Sequence, residues 1–171
     1  MAEHYLQRHF TPAVLAEQKR AYGRAQPVPA AAGPDPLGPQ EAAFIAARDS
    51  FYIASLTEDG APYIQHRGGP VGFLRLLDAH TLAFADFGGN RQLLTVGHLS
   101  KDPRVALFLM DYPARRRLKI DGDAISLPAG ESESDQVERV IRIRVSGYDW
   151  NCPQHITPRY SEAEWRARRL S

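Results

Sequence analysis

Apolar and polar positions change period along this chain, and the change divides it in two. Up to about residue 48 the apolar residues recur at helical spacing. Beyond Phe51 they alternate or run together, as strands do. In the first part Thr11 followed by Pro12 reads as an N-cap with proline at the first helical position. Val14, Leu15 and Tyr22 fall near one helical face, and Gly23 can end the helix. The stretch Pro27 to Pro39, rich in Pro, Ala and Gly, predicts a linker or an arm lying on the surface. A short helix is predicted from Pro39 to Arg48, with Phe44 and Ile45 on its buried side.

The second part reads as hairpins. Phe51 to Leu56 is β-prone, Thr57-Glu58-Asp59-Gly60 is a turn signal, and Pro62 to Arg67 returns as a second strand. Phe73 to Leu77 and Thr81 to Phe84 form another hairpin around Asp78-Ala79-His80. Gly88-Gly89-Asn90 opens a segment holding Leu93, Leu94 and Leu99, a predicted helix ended by Pro103. Arg104 to Tyr112 is nearly unbroken in apolar residues, which predicts a strand buried on both faces. From Arg117 to Ile125 the residues Leu118, Ile120, Gly122 and Ala124 share one side, and Ser126 to Asp135 reads as a loop. Ile141, Ile143 and Val145 alternate with Arg142 and Arg144 as a half-buried strand. Ser161 with Glu164 makes a capping box for a last helix carrying Trp165.

The expected fold is mainly β (α+β): an antiparallel β-barrel of six to seven strands with peripheral helices. A helix and Pro/Ala-rich arm would occupy residues 1–38, and the barrel domain residues 39–171. The 171 residues suit a single core, and a net charge of +1 gives no ground for nucleic acid or a membrane surface as partner. The one cysteine, Cys152, excludes an internal disulfide and suits a reducing cytoplasm. No apolar stretch approaches the roughly 20 residues of a membrane helix. The first thirty residues carry charges throughout and lack a secretory h-region, so the chain reads as cytoplasmic.

Three segments could carry chemistry. In Gln65-His66-Arg67-Gly68-Gly69-Pro70, an arginine at a strand end followed by glycines suits a phosphate; a hairpin rim with an exposed arginine reads equally from the same residues. In Phe87-Gly88-Gly89-Asn90-Arg91-Gln92, a helix beginning at Asn90 would offer unpaired N–H groups to a phosphate beside Arg91; ordinary capping is the other reading. In Tyr148-Asp149-Trp150-Asn151-Cys152-Pro153-Gln154-His155-Ile156, the Trp, Asn, Gln and His can stack on and hydrogen-bond a planar heterocycle, or simply pack a tight turn. Cys152 has no base-and-orienter arrangement in sequence. His4, His9, His66, His80, His98 and His155 lack metal-ligand spacing, so no metal site is expected.

Leu82 to Gln92 resembles an element of the pyridoxamine 5'-phosphate oxidase superfamily, which runs apolar strand, short loop, Ser-Arg-Lys, helix. Arg91 falls on the arginine that holds the flavin phosphate, Gln92 on the lysine and Asn90 on the serine. Lys101-Asp102-Pro103-Arg104-Val105-Ala106-Leu107 is similar to the family's Asn-Pro-Arg-Val-Ser-Leu run. Arg67 sits where the family carries a phosphate-binding arginine. Arg117 to Gly122 resembles its Arg-Gln-Val-x-Val-x-Gly strand. The terminal NCPQHI box looks like that of uncharacterised FMN-binding members. The resemblance spans about residues 40–160 and departs at Gln92, which replaces a cation, and at the C-terminus, where the oxidase's Arg-x-His pattern is not evident.

The resemblance implies that the barrel is an antiparallel split β-barrel, and that it forms a homodimer holding flavin mononucleotide (FMN) at the subunit interface. It implies cofactor contacts from His66, Arg67 and Gly68, from Ala85 and Asp86, and from Asn90, Arg91 and Gln92. Arg117, Trp150, Gln154 and His155 complete the expected set, with no firm catalytic residue. The implied function is FMN-dependent oxidation or reduction of a small molecule other than pyridoxine phosphate, with NAD(P)H as a candidate donor. A flavin, deazaflavin or heme binder or sensor without turnover is the alternative. His66 and His155 are the candidate proton donors.

Overall fold

In a computed structural model the seven strands form one antiparallel sheet in the order β2-β1-β5-β6-β7-β4-β3. The structure describes residues 2–87, 91–130, 137–150 and 152–169. The strands are β1 (Ser50–Leu56), β2 (Pro62–Gly68), β3 (Leu74–Asp78), β4 (Thr81–Phe87), β5 (Arg104–Asp111), β6 (Arg116–Pro128) and β7 (Val137–Trp150). The helices are α1 (Glu3–His9), α2 (Pro12–Tyr22), α3 (Pro39–Ala46), α4 (Leu94–Leu99) and α5 (Glu162–Arg168). The sheet curls around Phe51, Ile53, Phe84, Leu107, Leu118, Ile120, Ile141 and Ile143, all at most 2% exposed. At one end Arg67 of β2 reaches Asp86 of β4 at 2.7 Å, joining sheet arms that share no ladder. This is a split β-barrel.

The long strand β7 changes face midway. A register shift sets Asp121 opposite Gly147 but Gly122 opposite Val145, leaving Ser146 as the extra residue of a bulge. Before it Ile141, Ile143 and Val145 point inward; after it Tyr148 and Trp150 pack on the core. A Cβ on Gly122 would lie 2.1 Å from the Arg144 carbonyl oxygen. One on Gly147 would lie 2.9 Å from the backbone of Tyr5, whose helix α1 packs there.

Several expectations need correction. β5 is not buried on both faces: Val105, Leu107 and Leu109 are buried, while Arg104 and Ala106 are exposed. On the opposite side of that apolar run Phe108 and Met110 are half-buried. α2 has the expected Thr11 cap and left-handed Gly23, yet it buries no residue. The predicted first helical region also holds a separate helix, α1, with Tyr5 and Leu6 buried. The polar stretch after Ile125 continues as strand to Pro128, and residues 131–136 of the expected loop lie outside the described set. The Pro/Ala arm ends on the barrel, where Asp35 accepts hydrogen bonds from the backbone N–H groups of His4 and Tyr5. Among the described residues no helix is long and apolar enough to cross a membrane.

Candidate functional site

The strand ends that Arg67 and Asp86 join enclose a cleft of about 200 Å³. β2 contributes Gln65 and Arg67, β4 contributes Asp86 and Phe87, and β7 contributes Glu138 and Arg139. Arg91, Gln92 and the apolar Leu93, Leu94 and Val96 close it. Asp86 is buried and sits between two guanidiniums, 2.7 Å from Arg67 Nη1 and 3.8 Å from Arg139 Nη1. A carboxylate repels a phosphate, so its contacts here orient arginines. Arg67 Nε is buried without a hydrogen-bond partner among the described residues, which leaves donor capacity at the cleft. Thr95, 1% exposed, donates to Gln65 Oε1 at 2.8 Å and ties α4 to β2.

The segment into α4 differs from expectation. The helix begins at Leu94, capped by a left-handed Leu93 with no side-chain bond, rather than at Asn90. Asn90 itself lies outside the described residues. The helix is only six residues long, so its dipole does not supply the anion attraction expected of it. Charge comes from side chains instead. Arg91 and Leu93 have φ of 59° and 54°, and such non-glycine left-handed conformations cost about 1 kcal/mol or more each.

The structure brings Arg67, Asp86, Arg91 and Gln92 to one cleft and, Asn90 aside, places the other expected site residues elsewhere. His66 points to the outer sheet face, its ring edge-on to Tyr52 at 5.5 Å. Ala85 lines a separate apolar groove with Phe73, Phe87 and Val140. Gly68 ends β2 beside Gly69, whose N–H donates to the Asp49 carbonyl. Arg117 faces outward on β6, and its Nε is buried without a partner among the described residues. Trp150 belongs to a packed anchor: its Nε1–H donates to Glu41 at 2.7 Å, and Arg116 lies 4.5 Å over its ring. Gln154 and His155 are exposed in the turn beyond β7, His155 with φ of 62°. Cys152 is exposed and free, and the described residues hold no metal-binding cluster.

Gln65, Glu138 and Arg139 join the cleft without having been expected. For Arg139 a signal existed. It shares the side of Ile141, Ile143 and Val145 on β7, whereas Arg142 and Arg144 occupy the opposite, exposed side. An arginine at an inward position of an alternating strand marks a polar end to the core.

Fold and cleft together define a split-barrel protein with an arginine-rich cleft at its strand ends. Residues 37–159 match the pyridoxamine 5'-phosphate oxidase family, and the chain belongs to it. HupZ of Group A Streptococcus is similar in structure, with a TM-score of 0.54 at 14% identity, over 72% of this chain and all of that one. A Clostridium acetobutylicum protein of the pyridoxinephosphate oxidase family, related to general stress protein 26, has a TM-score of 0.50 at 12% identity. That likeness covers 69% of this chain and 88% of the other. At such identities the likeness is one of fold. No curated protein matches the chain.

Proposed function

We propose that the chain binds FMN, with the phosphate in the cleft at Arg67 and Arg91, and acts as an FMN-dependent oxidoreductase on a small molecule. The observation that carries this reading is the convergence of three arginines on one cleft that also holds an unsatisfied buried guanidinium nitrogen. Its volume of about 200 Å³ is below the roughly 300–1,000 Å³ of whole-ligand pockets, so it suits the phosphate end of a larger cofactor. FMN, when bound, supplies the hydride chemistry; the protein binds and orients it. Asp86 acts as a positioning residue that spaces the guanidiniums. Gln92 lines the cleft as a neutral polar group.

The ring then extends beyond the cleft, toward a second copy of the chain. The outer face of β1, β2 and β5 favours that arrangement: Tyr52 and Ile64 are 37% and 65% exposed, and Ala106 lies bare beside the half-buried Phe108. A two-fold interface would cover this apolar side of β5 and bring His66, Arg117 and the partner's turn near the cofactor. Among the described residues that line the cleft none is a histidine, and passive flavin binding stands as the second reading.

The test is a titration of the purified protein with FMN and with riboflavin, which lacks the phosphate. Arg91→Ala is expected to weaken FMN about ten- to a hundredfold, the worth of one charge-assisted contact, and to leave riboflavin unchanged. Equal weakening of both would place Arg91 in the fold alone. Reduction of the bound flavin by NADH or NADPH separates an enzyme from a passive binder.

A further inference from the structure

The cleft has more cations than the two that the phosphate reading uses. We propose that Arg139 is a second-strand phosphate ligand of this site: it swings from its neighbour Glu138 onto the cofactor phosphate and supplies the charge that Gln92 cannot. The proposal rests on the FMN reading and adds to it a residue on β7, a strand far in sequence from Arg67 and Arg91.

Three observations point the same way. Arg139 continues the inward side of β7 past Ile141, where a charged group needs a polar cavity to face, and the cleft is that cavity. In the β4–β7 ladder Asp86 stands directly opposite Arg139, and its carboxylate lies within 3.8 Å of Arg139 and 2.7 Å of Arg67. One buried acid thus brackets two guanidiniums in the cleft that Arg91 also lines. Charge decides the rest. Among the lining residues Arg67, Arg91 and Arg139 stand against Asp86 and Glu138, an excess of one positive charge that disappears without Arg139. A phosphate near neutral pH carries between about 1.5 and 2 negative charges, so a cleft of zero net charge would hold it less tightly.

Arg139 is also free to move onto a ligand. Its bond to Glu138, 2.7 Å long, joins adjacent residues whose side chains are 26% and 42% exposed. Exposed pairs of that kind are weak, whereas a guanidinium meets a phosphate through two parallel bonds. Asp86, nearly fully buried, stays in place and keeps Arg67 oriented while Arg139 exchanges partners.

The experiment titrates FMN and riboflavin into the full-length protein and its Arg139→Ala, Arg139→Lys and Glu138→Gln variants, and follows thermal midpoints with and without inorganic phosphate. Arg139→Ala is expected to weaken FMN about tenfold or more with riboflavin unchanged. Arg139→Lys should recover part of the loss, keeping the charge but not the two-pronged geometry. Glu138→Gln should tighten FMN by removing the competing carboxylate. Undiminished FMN binding in Arg139→Ala, or equal weakening of FMN and riboflavin, overturns the assignment. If the native protein binds neither flavin, the FMN reading fails by itself and inorganic phosphate decides about Arg139. A rise in thermal midpoint that Arg139→Ala abolishes upholds the anion site; no rise, or one the variant retains, overturns it.

Discussion

Two regions of this barrel pair a buried acid with a cation or an aromatic ring, and they have opposite character. At the Trp150 anchor, Glu41 is 6% exposed and both its oxygens are used: one accepts from the Trp150 indole N–H, the other from the Gly38 backbone N–H at the start of α3. Phe44 packs edge-on to the indole and Arg116 covers its face. At the strand-end cleft, Asp86 is equally buried, but Arg67 Nε lacks a partner, two non-glycine residues hold left-handed conformations, and the space between the side chains is open. The anchor spends its polar groups on itself. The cleft leaves some of them for something else. Unsatisfied buried polarity beside a cavity distinguishes a binding site from a structural joint built of the same residue types.

The largest effect that sharpens this contrast belongs at the anchor. Trp150→Ala removes the indole, its bond to Glu41 and the packing on Phe44, and leaves a nearly buried carboxylate oxygen without its donor. Truncations of this kind cost about 3–5 kcal/mol, and the half-buried position puts this one at the lower end. Chemical denaturation should register a loss of about 3 kcal/mol. The ratio of FMN to riboflavin affinity should not change. A variant that keeps its stability but loses flavin would move Trp150 from the joint to the site.

The second effect probes a third region, the outer sheet face. It shares the cleft's incompleteness: Ile64 and Ala106 lie bare on it, and further along the same face Arg117 Nε and one oxygen of Asp149 are buried without hydrogen-bond partners among the described residues. Ile64→Asp places a charge where a second copy would dock, and two-fold symmetry makes it meet the interface twice. Sedimentation should show self-association weakened by at least about tenfold, with the fold of the monomer preserved because Ile64 is 65% exposed. A native protein that sediments as a monomer while holding FMN would remove the interface from the proposal.

Local rules made most of the barrel legible. Asp59-Gly60 marked the first hairpin, Thr11 and Ser161 marked helix starts, and the alternation at Ile141 to Val145 marked β7. What escaped depends on distance along the chain. Trp150 and Glu41 are 109 residues apart, and no periodicity links them. The start of α4 was misplaced because Asn90 offers a capping side chain, whereas the backbone instead turns through left-handed Arg91 and Leu93. β5 looked buried on both faces because Ala106, Phe108 and Met110 continue the apolar run on its outer side, where the single chain leaves them exposed or half-buried. His66 and Arg67 were grouped as neighbours in sequence; a strand sends neighbours to opposite faces, one to Tyr52 and the other to the cleft.

The smallest expected effect concerns the turn after β7. Gln154 and His155 are exposed and follow directly on the anchor strand, so the turn is either a plain cap on the barrel or the part of the chain that meets a neighbouring subunit's cofactor. His155 has φ of 62°, a conformation that alanine resists and asparagine tolerates, so His155→Asn removes the imidazole without straining the turn. Combined with Gln154→Ala, this change touches no buried group and should alter the stability of the flavin-free protein by less than about 0.5 kcal/mol. The flavin should respond if the turn lies against it. Donors and acceptors at a ring edge tune its electronics, so losing an amide and an imidazole should shift its absorption bands and midpoint potential. Ile64→Asp supplies the control, because in a monomer the double variant should no longer matter. An unchanged spectrum together with an earlier melting transition would show that the turn only packs, like the anchor it follows. The proposed cofactor contacts on β7 would then be confined to its start, at Arg139.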